Sequence, residues 1–263
     1  MVDRALDVAA WLVVAFILGP LVIIVGGSFT TTPYVNFPPT GFTLDWYRQL
    51  LGRADFLHSF VDSLKIGIAT TVIATVIGVA AAVGFSRARF VGREAFRVFV
   101  MSPLVLPTIV TGVALMQFFH MAGFISTLAG LVIGHTLITI PYVVRTVGAG
   151  LAGLSHEIEE AAQSLGARPL RVLLRVTLPA IAPSILASTI FVFVTSFDQV
   201  TVSLFLTGPD VVPLPIRIYT YIDYAIDPMV AAVSTLLILF AFVVVALLQW
   251  LLGLDRAFGA SRK

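Results

Sequence analysis

Charged residues fall in clusters along this chain, and the intervals between the clusters are long and apolar. Val8 to Leu44, Ile66 to Ser86, Val98 to Val144, Val176 to Phe197 and Pro228 to Leu254 contain no Asp, Glu, Lys or Arg. A helix needs about 20 apolar residues to cross the bilayer core, so each interval is a candidate span. The third is 47 residues long. At about 1.5 Å per residue a single helix of that length would reach roughly twice the hydrocarbon thickness. It must fold back, and Ala122-Gly123 is the expected turn. The pattern predicts six spans: about 8–29, 66–86, two within 98–144, one starting near Ile181 and running a little beyond Asp198, and one from Pro228.

Composition agrees. The chain is 59% hydrophobic and 11% charged, with a mean hydropathy of +1.03, whereas soluble domains carry about 25% charged residues. The expected fold class is all-α integral membrane, a single transmembrane domain over 1–263. No cleavage site follows the first apolar run, so an uncleaved first span is expected. The absence of cysteine excludes disulfides, thiolate metal sites and cysteine nucleophiles. The net charge of +2 calls for no nucleic-acid partner.

Basic residues orient the spans. With an even number of spans, one side holds Arg4, Arg87, Arg89, Arg93, Arg97, Arg145, Arg168, Arg171, Arg175, Arg256, Arg262 and Lys263. These are twelve of the sixteen Lys and Arg residues. That side is expected to be cytoplasmic, with both termini. The opposite side carries Gly41 to Leu51 and Phe56 to Lys65, two candidate interfacial helices, and the Pro- and Tyr-rich segment from Asp210 to Asp227. These surfaces could meet a delivering partner.

The stretch Ser155 to Pro179 reads SHEIEEAAQSLGARPLRVLLRVTLP. Ser155 is a candidate N-cap with Glu157 in the first turn, where the helix dipole favours an acid. Ile158, Ala161, Ala162 and Leu165 form one apolar stripe. Gly166 can end this helix with positive φ, and Pro169 can open the next. In that second helix Arg168, Arg171 and Arg175 share a face, and Leu170, Leu173, Leu174 and Thr177 cover another.

This loop resembles the Glu-Ala-Ala loop of ABC importer permeases. Glu160-Ala161-Ala162, Gly166 and Leu178-Pro179 match at the family's spacing, and Val176 stands where the family has Ile. Phe42 to Tyr47, Pro103 to Gly112, His135 to Val144, Ser196 to Pro209 and Leu214 to Tyr219 extend the resemblance over most of the chain, towards the second permease of spermidine/putrescine-type importers. The resemblance implies a cytoplasmic coupling helix between spans 4 and 5, with Glu160, Ala161, Ala162 and Gly166 meeting an ATPase. It also implies a bacterial inner membrane, a second homologous permease, two ATPase subunits and an external solute-binding protein. ATP and Mg would be held by the partner ATPase, since this chain has no G-x-x-x-x-G-K-[ST] and is not itself expected to be an enzyme. The implied cargo is a polyamine or related small cationic amine. The alternative is another small solute, such as an amino-acid derivative, opine, organophosphonate or metal complex.

Asp198, at the end of its charge-free run, is the acid closest to a span interior. Ionisable groups there face a cavity or a partner, although a span ending at Asp198 would leave it in interfacial water. Ser196 and Gln199 lie beside it, and Trp46 could stack on a cation or belong to an aromatic belt. Polyamine-type permeases often carry two adjacent acids where this chain has Asp198-Gln199. Pro103, Pro107 and Pro141 either line a path or kink helices for packing. Gly130 and Gly134 read as a packing motif, and His120 and His135 as hydrogen-bonded structure. A membrane-embedded enzyme is a remote alternative. His156-Glu157 lacks the second His of H-E-x-x-H at Glu160, and there is no G-x-S-x-G.

Overall fold

The computed structural model describes residues 2–123, 126–225 and 227–252. Arg256, Arg262 and Lys263 lie outside the described residues. Among those described there are helices and no strands. In chain order the helices are α1 (Val2–Gly27), α2 (Asp45–Leu51), α3 (Ala54–Arg87), α4 (Arg93–Met101), α5 (Thr108–Ala122), α6 (Leu128–Ala152) and α7 (His156–Ser164). They continue with α8 (Pro169–Val172), α9 (Leu178–Ala180), α10 (Ala182–Phe197), α11 (Thr201–Leu206), α12 (Leu214–Ile222) and α13 (Pro228–Leu252).

Four stretches are continuous, apolar and long enough to span: Leu6–Gly27, Ala54–Arg87, Leu128–Ala152 and Pro228–Leu247. Two further candidates are bent pairs. Arg93–Leu104 meets Thr108–Ala122 at 104°, and Pro169–Ala180 meets Ala182–Phe197 at 69°. Counting each pair as one span makes six.

Proline explains both bends. Pro107 lacks an N–H and drives Leu106 out of helical conformation, so α5 begins only at Thr108. Pro179 would clash with the Arg175 carbonyl in a regular helix. Leu173–Thr177 instead winds as a π-helix, which absorbs that conflict. The 69° break itself falls at Ile181 (φ −97°, ψ 7°), where Pro183 in the first turn of α10 has no N–H to continue the ladder. The turn after α5 falls at Ala122-Gly123 as expected, with Gly123 at φ 75°.

Three expectations need correction. Phe56 to Lys65 is not a separate interfacial helix but the start of the 34-residue α3. No Gly or Pro interrupts it there, and the Asp62–Lys65 ion pair supports the same turns. The fifth span does not run beyond Asp198: α10 ends at Phe197, and Asp198 caps it. The second helix of the loop is not uniform either. Val172 and Thr177 are its buried residues, while Leu170 and Leu174 are exposed.

Contacts divide the chain into two compact units, residues 1–58 with 217–244 and residues 59–216 with 245–263. In the first unit α1 is apolar and exposed all round, with Trp11, Leu12 and Phe16 turned outwards, as befits a lipid-facing helix. The second unit holds two packed cores. Ala74, Ala82, Val143, Val147, Ile181 and Val192 join α3, α6 and α10. Ile66, Phe119, Leu131, Val202 and Leu206 join α3, α5, α6 and α11. Gly134 permits the second: a Cβ there would lie 2.5 Å from Leu206 Cδ1, the close approach that small residues allow in membrane packing.

Candidate coupling loop and solute path

The segment between α6 and α7 starts the candidate coupling loop. Ser155 is extended, and its Oγ accepts from the Glu157 N–H at 3.3 Å. At the other end of α7, Gly166 N–H donates to Gln163 O (2.8 Å) and Ala167 N–H to Ala162 O (3.1 Å). This pair of bonds is a Schellman closure, with Gly166 at φ 86°. A side chain at that φ is strained. Pro169 then opens α8. The predicted helix–turn–helix is therefore present.

Its apolar stripe faces away from the chain. Ile158 is 51% exposed and Leu165 90% exposed, and Glu160 and Ala161 are exposed beside them. The buried residue of α7 is Glu159, at 7%. Its Oε2 lies 2.9 Å from Arg87 Nε at the end of α3, an ion pair. Thr177 Oγ1 donates to its Oε1 at 2.6 Å. Arg87 Nη1 in turn lies 2.9 Å from His156 Nε2. The guanidinium can only donate, so that ring nitrogen is the acceptor. One carboxylate thus binds α7 to the end of α3 and to the π-turn that leads into α10.

The solute-path candidates are differently placed. Ser196 is 3% exposed. Its Oγ and that of Ser203 lie 2.9 Å from the two ring nitrogens of fully buried His135. In either tautomer one ring nitrogen donates and the other accepts, so α6, α10 and α11 share one satisfied bracket. Asp198 is exposed at the end of α10 and makes no hydrogen bond or ion pair through its carboxylate among the described residues. A negative charge at a helix C-terminus is unfavourable, which makes this carboxylate receptive to a cation. Gln199 is half-buried next to it. Trp46 belongs to the other unit. There its Nε1 donates to Thr30 O at 2.8 Å, and Tyr47 Oη lies 2.6 Å from Ser28 Oγ. Both pin the segment after α1.

Asp227 is also committed. It accepts from Tyr221 Oη (2.6 Å) and from the Met229 N–H (3.0 Å). Burial, then the bond to Asp227, pushes the Tyr221 hydroxyl up to about 12. Arg53 grips Asp55 through two bonds and lies over the Phe56 and Tyr221 rings. Its pKa is raised by that grip.

The described residues thus combine apolar helices long enough to span a membrane with an anchored loop whose apolar face is exposed. The chain belongs to the family of binding-protein-dependent transport system inner membrane components, whose model matches residues 74–253. It is a permease subunit of an ABC importer and a multi-pass inner-membrane protein. The spermidine/putrescine transport system permease protein PotC of Escherichia coli K12 is 31% identical over 93% of this chain and 92% of its own length. The putrescine transport system permease protein PotI of the same strain is 32% identical over 92% and 90%. The fold is shared with a chain in the crystal structure of a bacterial ABC transporter involved in import of the acidic polysaccharide alginate. That match has a TM-score of 0.73 and 19% identity, covering 95% of this chain and 97% of that one.

Removing one member of a buried ion pair costs about 3–5 kcal/mol. Glu159→Ala is therefore expected to loosen α7 selectively. Amide exchange over 155–179 should rise by two or more orders of magnitude while α6 stays protected. Unchanged protection of the loop would show that Glu159 does not anchor it.

Proposed function

We propose that this chain pairs with a second, related permease, two ATPase subunits and an external solute-binding protein, and that Glu160, Ala161, Ala162 and Gly166 form its ATPase-coupling surface. The observation that carries this reading is the exposed apolar face of α7 on a loop otherwise anchored in the bundle. Ala161 allows close approach, Glu160 supplies a charged contact, and Gly166 holds the turn. ATP and Mg belong to the ATPase subunits. Their closure would draw the coupling helices together and open the opposite gate to the binding protein. The Arg bias supports a cytoplasmic position for the loop and for both termini.

The cargo we assign is a polyamine or related small cationic amine. Two relatives named for spermidine or putrescine transport, at 31% and 32% identity, support this. So does the unpartnered carboxylate of Asp198. With Gln199 in place of a second acid, the site suits a singly or doubly charged amine better than a long polyamine. The fold does not fix the solute, since a chain of the same fold serves an importer of an acidic polysaccharide.

Two tests separate coupling from cargo. Glu160→Lys combined with Gly166→Pro is expected to abolish uptake while membrane insertion survives; full transport would remove the coupling assignment. Asp198→Asn keeps the shape and removes the charge. We expect uptake of the cationic amine to fall at least about tenfold, the loss of one charge-assisted contact, with ATP hydrolysis by the purified assembly retained. Normal uptake in that variant, or a binding protein preferring an anion or neutral sugar, would contradict the cationic cargo and leave the importer reading intact.

A further inference from the structure

A cavity of ≈ 630 Å³ opens between α3, α4 and α6, and its charged lining is of one sign. Arg97 comes from α4 and Arg145 from α6; Ser86 adds a hydroxyl, and Phe85, Met101 and Val144 are among the apolar walls. No acid lines it. Arg145 makes no hydrogen bond or ion pair among the described residues. The ion pair of Arg97 is a long one, 3.8 Å to Glu94 on its own helix, between exposed side chains, and such pairs contribute little. Two guanidiniums beside one cavity repel each other, and an anion placed between them would remove that cost. Planar guanidiniums grip phosphate oxygens in pairs.

A second groove, of ≈ 610 Å³, adjoins the first and shares Arg97 and Met101 with it. Its walls include Val98, Val105 and Leu106, all exposed; Glu94, which pairs with Arg93 and Arg97, and Ser102 also line it. A basic cavity continuous with a mainly apolar groove has the shape of an anionic phospholipid, charged at one end and aliphatic at the other. Basic pockets between membrane helices hold such headgroups. We propose that this cavity binds the phosphate of an anionic phospholipid, with an acyl chain lying along Val98, Val105 and Leu106. The lipid would tie α4, which precedes the 104° bend, to α6. Inorganic phosphate shares the headgroup chemistry but has nothing to fill the groove, and a neutral headgroup leaves the two charges unpaired.

The test is native mass spectrometry of the permease with its co-purifying subunits, titrated separately with phosphatidylglycerol, phosphatidylcholine and inorganic phosphate. We expect one phosphatidylglycerol to be retained per copy of this chain, in preference to phosphatidylcholine. Each basic residue near a membrane surface adds about a fivefold gain in affinity, so Arg97→Gln with Arg145→Gln should weaken retention about thirtyfold. Arg145→Gln alone removes a side chain without a partner among the described residues and should weaken it about fivefold. Arg97→Lys with Arg145→Lys keeps the charge and loses the planar paired grip, so its retention should fall between those of the unaltered chain and the double glutamine variant. Unchanged retention in the glutamine variants, or equal retention of phosphatidylcholine, would overturn the proposal. Inorganic phosphate binding as tightly as the lipid would make this a soluble-anion site. Loss of partner subunits with lipid retention unchanged would reassign the arginines to a subunit contact.

Discussion

A carboxylate can be sealed from water only where charge and hydrogen bonds replace its hydration. Glu159 meets that requirement through Arg87 and Thr177, and the arrangement of the loop follows from it. α7 is nine residues long, too short to be stable as an isolated helix, and its apolar side chains face away from the chain. What holds it is one acid, bound to the last residue of a 34-residue helix and to the π-turn before α10. A force applied to α7 is therefore delivered at two points of the bundle. The same anchoring leaves Glu160 and its small neighbours outward. The two acids are placed differently, Glu159 buried against the bundle and Glu160 exposed.

Inside the bundle the same rule governs backbone and polar side chains. Non-helical backbone at membrane depth is tolerated where protein or a cavity satisfies it. Pro107 and Pro183 stand at the two places where the helices of the second unit are broken, and a π-turn just before the second break accommodates Pro179. Where His135 sits fully buried, Ser196 and Ser203 supply both of its ring partners. The polar groups of α10 thus fall into two kinds. Ser196 is consumed by packing, while the carboxylate of Asp198, two residues on, has no partner among the described residues. That contrast makes Asp198 the better place to look for cargo.

The spans were legible because lipid tolerates so little charge: α1, α3, α6 and α13 all lie where the charge-free intervals placed a crossing. Helix ends were less so. Phe56 to Lys65 has the composition of an interfacial helix, and nothing local distinguishes that from the polar end of a longer one. The loop was legible in detail because Ser155, Gly166 and Pro169 act locally, through a cap, a positive φ and a missing N–H. Glu159 was missed for the opposite reason. Glu157, Glu159 and Glu160 are chemically alike, and which one turns inwards is decided by where Arg87, distant in the chain, arrives. The commitment of Ser196 to His135 is likewise a matter of which helices meet.

The proposed docking of a separate ATPase on the exposed face of α7 is open to a direct test. The chain contains no cysteine, so Ala161→Cys and Leu165→Cys each create a single attachment point. Cross-linking from these positions in assembled membranes should join this chain to the ATPase subunit, and should do so in a manner that changes when nucleotide is added. Cross-links only to lipid or to the second permease, with the ATPase present and active, would contradict the coupling role of the loop.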